Sequence, residues 1–204
     1  HRAFQDSKAT PSGAVFLSLP MNVMEESCDA QIQDVSYVDR RPVAHGLPEL
    51  ASYLASFKPG KVAIVAGDEI SVNDAYKEVV SLAELLAAPV YGSSWPAHIP
   101  YPTSHYLWRG NLPTSTEAIG NTMSDFDAIL AFGGKSFITV LYSDKPALPE
   151  NCDLFQLSSD GRDLGRSYAT KLSLVGDIEY SARKLNSLLQ KEVQPNSTEY
   201  ELER

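Results

Sequence analysis

Two short apolar runs that end in glycine stand out in the hydrophobic pattern of this chain. One reads Val-Ala-Ile-Val-Ala-Gly from Val62 to Gly67, and the other reads Asp-Ala-Ile-Leu-Ala-Phe-Gly-Gly from Asp127 to Gly134. A half-exposed antiparallel strand alternates apolar with polar residues, whereas a parallel strand covered on both faces is apolar throughout. The two runs therefore predict parallel strands inside a sheet that has helices on both faces.

The remaining periodicity predicts further strands and helices in alternation. Apolar residues recur at helical spacing over 47–57, 75–86 and 178–189, and Asn73, Asp177 and a capping box of Thr114 with Glu117 are predicted amino-terminal caps. The segment 96–113 is rich in proline and aromatics and is predicted to be irregular. Strand patterns fall at 61–66, 89–91, 127–132, 153–158 and 171–175. We therefore expect an α/β fold, a doubly wound parallel sheet of four or five strands that is Rossmann-like, over residues 47–192.

The flanking segments differ in composition from this unit. Residues 1–8 suggest a short amphipathic turn, and 14–19 have the apolar pattern of a buried strand closed by Pro20. Residues 21–46 are polar and acidic, which is typical of a linker, and 193–204 form a polar tail that we expect to be frayed. Because the chain starts at His1 without a methionine, we expect it to be a fragment.

Composition narrows the classes of function. The 204 residues carry 26 acidic and 17 basic side chains, a formal net charge of −9, and the basic residues are dispersed, so neither nucleic acid nor an anionic membrane is an expected partner. Two cysteines, Cys28 and Cys152, form neither a disulfide framework nor a metal-site spacing, which favours a reducing cytoplasm. No apolar run approaches the roughly 18 residues that span a bilayer.

Ligands of parallel α/β sheets bind beyond the carboxyl ends of the strands, so glycines that follow strands are candidates for contact with a cofactor. Here these are Gly67 and Gly133, and Gly110 in the segment 96–113 is a third candidate for the same crevice. No G-x-G-x-x-G or Walker loop follows a strand, and Gly-Gly-Lys-Ser at 133–136 lacks the spacer of a phosphate loop, so a plain glycine turn is the favoured interpretation. The chain therefore has the strand pattern of a nucleotide-binding fold but lacks the glycine motif that binds the nucleotide phosphates.

Other polar side chains at strand ends each have a functional and a structural interpretation. None of the four histidines has a nucleophile motif or metal-ligand spacing, so we predict no catalytic residue and no metal site in the chain. The remaining candidates for ligand contact are Asp68 and Glu69, His105, Trp108 to Gly110, and Arg162 and Arg166 near Asp160. For each of them we favour a structural role over direct contact with a ligand. The structural roles are hydrogen bonding to loop backbone, helix capping, exposure to solvent and packing under a loop.

Six segments, in chain order, resemble consecutive motifs of one enzyme family, the thiamine-diphosphate-dependent decarboxylases and carboligases. The 100–113 segment, Pro-Tyr-Pro-Thr-Ser-His-Tyr-Leu-Trp-Arg-Gly-Asn-Leu-Pro, is most similar to the benzoylformate decarboxylase branch. The segments are 11–24 (Pro-Ser-Gly-Ala-Val-Phe-Leu-Ser-Leu-Pro-Met-Asn-Val-Met), 62–67 with 82–90, 100–113, 126–133, 164–166 (Leu-Gly-Arg) and 175–177 (Val-Gly-Asp).

The resemblance implies a three-domain enzyme of which this chain holds part. Residues 1–20 would be the carboxyl-terminal remnant of the pyrimidine-binding domain, 21–46 a linker and 47–192 the central domain. In the family, a glutamate of the first domain activates thiamine diphosphate, and a G-D-G…N motif of the third binds Mg²⁺ and the diphosphate. The chain would thus be inactive alone, with the two missing catalytic domains as its partners and a homodimer or tetramer as the complete assembly.

Two departures from the family pattern concern the segment after Gly133. The benzoylformate decarboxylases place a catalytic histidine there, but 135–144 contains none and Val140 falls near that position, which argues against benzoylformate as substrate. Acetolactate synthases, which hold FAD in the central domain, have R-x-D-D-R there, whereas this chain has Lys-Ser-Phe-Ile-Thr at 135–139. We therefore expect an empty crevice. The alternatives are an FAD- or ADP-binding domain and a pure oligomerisation module.

Overall fold

The computed structural model describes residues 1–31, 34, 36–133, 135–140 and 143–192. The chain divides into two compact units, one from His1 to Arg41 and one that begins at Pro42. The predicted tail at 193–204 lies outside the described residues.

The first unit contains two short helices, α1 (Arg2–Lys8) and α2 (Met21–Glu25). The amphipathic turn predicted at the amino end is thus α1, and α2 opens the segment predicted as a linker. The strand predicted at 14–19 is wrong, because these residues form no regular structure and Phe16 is 91% exposed. A strand needs a neighbour for its backbone hydrogen bonds, and the described part of this unit contains none.

The second unit alternates strands with helices, as the periodicity predicts. Its helices are α3 (Leu47–Ser56), α4 (Glu69–Val72), α5 (Tyr76–Leu85), α6 (Thr116–Met123) and α7 (Ile178–Glu192). Its strands are β1 (Val62–Ala66), β2 (Val90–Gly92), β3 (Trp108–Asn111), β4 (Ala128–Phe132), β5 (Asp153–Ser158) and β6 (Leu172–Val175).

All the strand pairs are parallel, and the spatial order is β3-β2-β1-β4-β5-β6. The prediction of a doubly wound parallel α/β sheet is confirmed. The sheet has six strands among the described residues rather than four or five, because β3 lies in the segment predicted to be irregular. Its residues alternate between partial burial and exposure, and Gly110 adopts φ +92° where the pairing with β2 shifts register. This edge strand lacks the continuous apolar pattern that marks β1 and β4.

Helices cover both faces of the sheet, and successive residues of each central strand point to opposite faces. Ile64 and Leu130 pack into the core formed with α3, α5 and α7. Val65 and Ile129 pack into the second core, which contains α6 together with buried loop residues such as Ala147. All ten residues of β1 and β4 are buried, which explains why the two runs contain no polar position.

Two of the three predicted helix caps are wrong. Helix α6 is capped by Ser115, whose hydroxyl accepts a hydrogen bond from Ala118 N at 3.3 Å, rather than by Thr114. Asn73 ends α4 and donates to Glu69 O at 2.8 Å instead of starting α5. Asp177 is confirmed as the cap of α7, since its carboxylate accepts from Tyr180 N at 2.9 Å. No helix within the described ranges is long and apolar enough to cross a membrane.

Candidate functional site

The strand order creates a crevice beyond the carboxyl ends of β1 and β4. The chain moves from β1 outward to β2 and β3, then returns to the other side of β1 as β4, so connections diverge between these two strands. A sheet of this order binds dinucleotides at that switch point. Gly67 directly follows β1 and Gly133 directly follows β4, so the structure brings these two predicted site residues together at the crevice.

The backbones of the two strand ends are in close contact. Gly67 N donates to Phe132 O at 2.9 Å. A Cβ atom at Gly67 would lie only 2.4 Å from Phe132 O and 3.7 Å from Gly133 Cα, so any larger residue would push the strand ends apart. Gly133 has φ +87°, a backbone conformation that favours glycine. Each glycine thus has a structural reason to be present.

Gly110, the third predicted residue, lies elsewhere. It belongs to edge strand β3, and β2 and β1 lie between it and β4. A Cβ atom at Gly110 would meet nothing within 4 Å. Its positive φ serves the bulge between β2 and β3, and the structure does not bring it to the crevice.

The side chain of Glu69 reaches over the end of β4. One carboxylate oxygen, Oε1, accepts from Ser158 Oγ at 2.6 Å, and the other, Oε2, accepts from Ser159 N and Ser159 Oγ, both at 2.7 Å. The carboxylate also passes close to Gly133, where a Cβ atom would lie 3.4 Å from Oε1. Glu69 therefore joins the first residue of α4 to the end of β5 and occupies space beside the switch point.

The neighbouring acid, Asp68, holds a different loop. Its Oδ1 accepts from Ala97 N at 2.8 Å and from His98 N at 2.9 Å, which fixes the segment that follows β2. The turn after β1 therefore carries two carboxylates, and each binds backbone N–H groups of a loop at the carboxyl edge of the sheet.

The candidate residues Arg162 and Arg166 are each paired with an acid of their own loop. Arg162 donates to Asp160 from its guanidinium group, with Nε 2.9 Å from Oδ1 and Nη2 2.7 Å from Oδ2, and from its backbone N–H, 3.0 Å from Oδ1. These hydrogen bonds from Arg162 lower the pKa of Asp160 to about 2. Arg166 Nη1 lies 3.2 Å from Asp163 Oδ1. Both guanidinium groups therefore stabilise the β5–β6 loop.

His105 is held in a chain of hydrogen bonds. Leu107 N donates to its Nδ1 at 3.3 Å, and Tyr101 Oη lies 3.1 Å from the same nitrogen. Because Nδ1 accepts from the backbone, the ring proton of the neutral imidazole is on Nε2, which lies 3.3 Å from Glu84 Oε1. Burial raises the pKa of the Tyr101 phenol above its ordinary value. The rings of Trp108 and Tyr101 are stacked with their centroids 6.0 Å apart, so the aromatic side chains of this segment pack against each other.

The residues of this edge do not fit thiamine diphosphate and Mg²⁺. Among the residues that the structure describes, no group of three His, Cys, Asp or Glu side chains could hold a metal ion. The carboxylates of Asp68 and Glu69 already accept backbone N–H groups. Val140, near the position of the family histidine, is 58% exposed, and its N–H donates to Thr114 O at 2.9 Å. A valine there offers no group for proton transfer.

Sequence reasoning missed Ser158 and Ser159 as members of this site. They end β5 and follow it directly, so a polar pair at the carboxyl end of a buried strand was the available signal. Their link to Glu69 spans 89 and 90 residues of sequence, and only the strand order brings them together.

Comparison with known proteins gives consistent matches. The family model for the thiamine pyrophosphate enzyme, central domain, matches residues 47–185. A benzoylformate decarboxylase from Pseudomonas aeruginosa is 26% identical over 198 residues, which are 96% of this chain and 37% of that protein. A sulfoacetaldehyde acetyltransferase from Castellaniella defragrans is 29% identical over 178 residues, 85% of this chain and 29% of that protein.

Solved structures share the fold. A protein from Mycobacterium smegmatis, described as a thiamin diphosphate-dependent enzyme, superposes with a TM-score of 0.84 at 27% identity, over 92% of this chain and 36% of that one. Benzoylformate decarboxylase from Polynucleobacter necessarius superposes with a TM-score of 0.82 at 24% identity, over 90% of this chain and 34% of that one. The chain thus spans about a third of the length of the relatives it matches.

Proposed function

Because the chain belongs to the family of the thiamine pyrophosphate enzyme central domain, we propose that it is the non-catalytic central domain of a thiamine-diphosphate-dependent 2-oxo acid decarboxylase or carboligase. The family match over residues 47–185 is the observation that carries this proposal. The coverage of about a third of each relative supports it, since a central domain is one part of a longer chain.

The proposal assigns the cofactor to the other domains. Residues 1–20 would close the pyrimidine-binding domain, 21–46 would link it to the central domain at 47–192, and 193–204 would be a polar tail. Thiamine diphosphate, when bound there, would supply the carbanion-stabilising chemistry of the complete enzyme. The side chains at the carboxyl edge of this chain are engaged with its own loops, which supports a framework role rather than a catalytic one.

The substrate is proposed only as a class. The two curated relatives are a decarboxylase and an acetyltransferase, and both match this chain at similar identity, 26% and 29%. Relatives that differ in reaction thus share this domain, as expected when fold and chemistry are set by different parts of a protein. The valine at position 140 supports a 2-oxo acid other than benzoylformate as the preferred substrate.

The complete reading frame tests the proposal. It is expected to continue on both sides of this chain, with an activating glutamate before it and a G-D-G…N motif after it. The complete protein is expected to release CO₂ from a 2-oxo acid in the presence of thiamine diphosphate and Mg²⁺, whereas the chain of residues 1–204 is expected to release none. A frame without both motifs would refute the proposal. Light scattering on the complete protein is expected to give the mass of a dimer or a tetramer.

A second candidate function is nucleotide binding in the crevice, which the strand order favours. A sheet of order 3-2-1-4-5-6 binds dinucleotides at the point where Gly67 and Gly133 meet. Titration of FAD, ADP and NAD onto the chain, followed by calorimetry, distinguishes it from the first proposal. Saturable heat at submillimolar ligand would support nucleotide binding, and no heat at millimolar ligand would refute it.

A further inference from the structure

We propose that the carboxylate of Glu69 takes the place of a ligand phosphate beside the switch point, and that it keeps closed an anion site formed by Ser158 and Ser159 at the end of β5. The ligand class of the closed site is a phosphate or the diphosphate of a nucleotide. This inference concerns the crevice of the chain itself, so it holds whichever reaction the complete enzyme performs.

The donors at the end of β5 have the character of an anion site. Two hydroxyl groups and one backbone N–H converge on a single carboxylate at 2.6 and 2.7 Å. Distances of this size are those of charge-assisted hydrogen bonds, and backbone N–H groups with serine hydroxyls are common ligands of phosphate oxygens. Ser158 is fully buried and supplies one of these three donors. If Glu69 were removed and no anion replaced it, the Ser158 hydroxyl would lose its 2.6 Å contact and be left with a longer one, to Asp160 O at 3.2 Å.

Glu69 belongs to the turn that approaches the diphosphate in related sheets. In a dinucleotide-binding sheet, the turn after the first strand contains glycines that let the backbone approach the pyrophosphate. The corresponding turn here reads Gly67-Asp68-Glu69, so two carboxylates follow one glycine. Glu69 then extends past Gly133, where a Cβ atom would lie 3.4 Å from Oε1.

Two effects therefore close the crevice to anions. The Glu69 carboxylate uses the donors that a phosphate would need, and its negative charge repels a second anion at contact distance. Asp68 adds a second carboxylate to the same turn. The fold keeps the geometry of a dinucleotide site, and an internal anion replaces the ligand.

The test compares the chain of residues 1–204 with its Glu69→Ala variant, with inorganic phosphate and ADP as probes in calorimetric titrations. The wild type is expected to give no saturable heat with either probe at millimolar concentration. Glu69→Ala is expected to bind both, at least about tenfold more tightly than the wild type, because the hydrogen bonds to a charged group become available to the ligand. Adding Ser158→Ala to that variant is expected to weaken the new binding.

Asp68→Asn is the matched control. It removes one negative charge from the same turn, yet its amide oxygen can still accept from Ala97 N and His98 N, and the donors at β5 remain occupied by Glu69. It is expected to bind neither probe. Binding by this control equal to that of Glu69→Ala would mean that net charge alone closes the crevice and would overturn the proposal.

Circular dichroism establishes that each variant is folded before titration. If Glu69→Ala is unfolded, Glu69→Gln carries the test, because its amide keeps most of the side-chain volume but loses the charge, and it is expected to bind phosphate more tightly than the wild type does. A folded variant that binds phosphate and ADP no better than the wild type would overturn the proposal. Binding of ADP by the wild type with the same affinity as by Glu69→Ala would also overturn the proposal.

Discussion

The substitution Gly67→Ala tests whether the strand ends at the switch point are packed as closely as the structure indicates. The added Cβ would lie 2.4 Å from Phe132 O, whereas ordinary contact begins at 3.4 Å, so the two backbones must separate by about 1 Å. The atom that must move is a backbone carbonyl, which cannot rotate away as a side chain can.

The magnitude follows from two terms. Inserting a methyl group into a packed interior costs about 1 to 3 kcal/mol. Separation of the backbones also weakens the hydrogen bond from Gly67 N to Phe132 O, now 2.9 Å long, whose net contribution is about 1 kcal/mol. We therefore expect Gly67→Ala to lower the free energy of unfolding by about 2 to 4 kcal/mol, as measured by urea denaturation followed by circular dichroism.

Gly110→Ala is the matched comparison within the same sheet. A Cβ there meets nothing within 4 Å, and only the φ of +92° opposes it, so the expected loss is about 1 to 2 kcal/mol. If Gly67→Ala unfolds at the same urea concentration as the wild type, or is less destabilised than Gly110→Ala, the close approach of β1 and β4 is refuted.

Three further predictions concern other residues of the chain. Asp177→Ala removes the cap of α7 and is expected to lower the free energy of unfolding by about 1 kcal/mol, whereas Asp177→Asn keeps an acceptor and should lose less; urea denaturation measures both. Ser181→Ala leaves the buried N–H of Ala44 without its 3.0 Å acceptor and is expected to cost about 1 to 3 kcal/mol, and a loss under about 0.5 kcal/mol would contradict that contact. Burial raises the pKa of the Cys152 thiol to about 11, so little of this thiol is in the reactive thiolate form at pH 8. Ellman's reagent at pH 8 should therefore modify the exposed Cys28 first and Cys152 in a separate slow phase. The substitution Cys152→Ser is expected to abolish the slow phase.

The sequence was sufficient to predict the centre of the sheet. Strands β1, β4 and β5 are buried on both faces, so their continuous apolar runs identify them without other information. The short edge strand β3 was missed because only half of its residues are partly buried, and its position depends on pairing with β2. The hydrophobic pattern of a segment depends on how many of its residues are buried, and too few residues of this edge strand are buried to give a recognisable pattern.

The candidate site shows the same division between local and long-range information. Gly67 and Gly133 could be placed at the crevice because each directly follows a strand that the pattern predicts. The contact of Glu69 with Ser158 and Ser159 could not be predicted, since it depends on β4 and β5 being neighbours to one side of β1. The cap of α6 was placed one residue early because Thr114 and Ser115 are both good caps, and only the backbone geometry selects between them.

The acidic turn after β1 supports the proposed framework role. The same glycines that would admit a dinucleotide allow the strand ends to approach closely, and the acids of the turn then tie the neighbouring loops to that point. These contacts support loops on both sides of β1, which is the edge where a parallel sheet usually carries its ligand.

Binding of thiamine diphosphate tests the central claim most directly. In calorimetric titrations with Mg²⁺ present, the protein encoded by the complete reading frame is expected to bind thiamine diphosphate saturably, and the chain of residues 1–204 is expected to show no saturable heat. Saturable binding of thiamine diphosphate by the chain alone, or its absence from the complete protein, would contradict the assignment of this chain as a non-catalytic central domain.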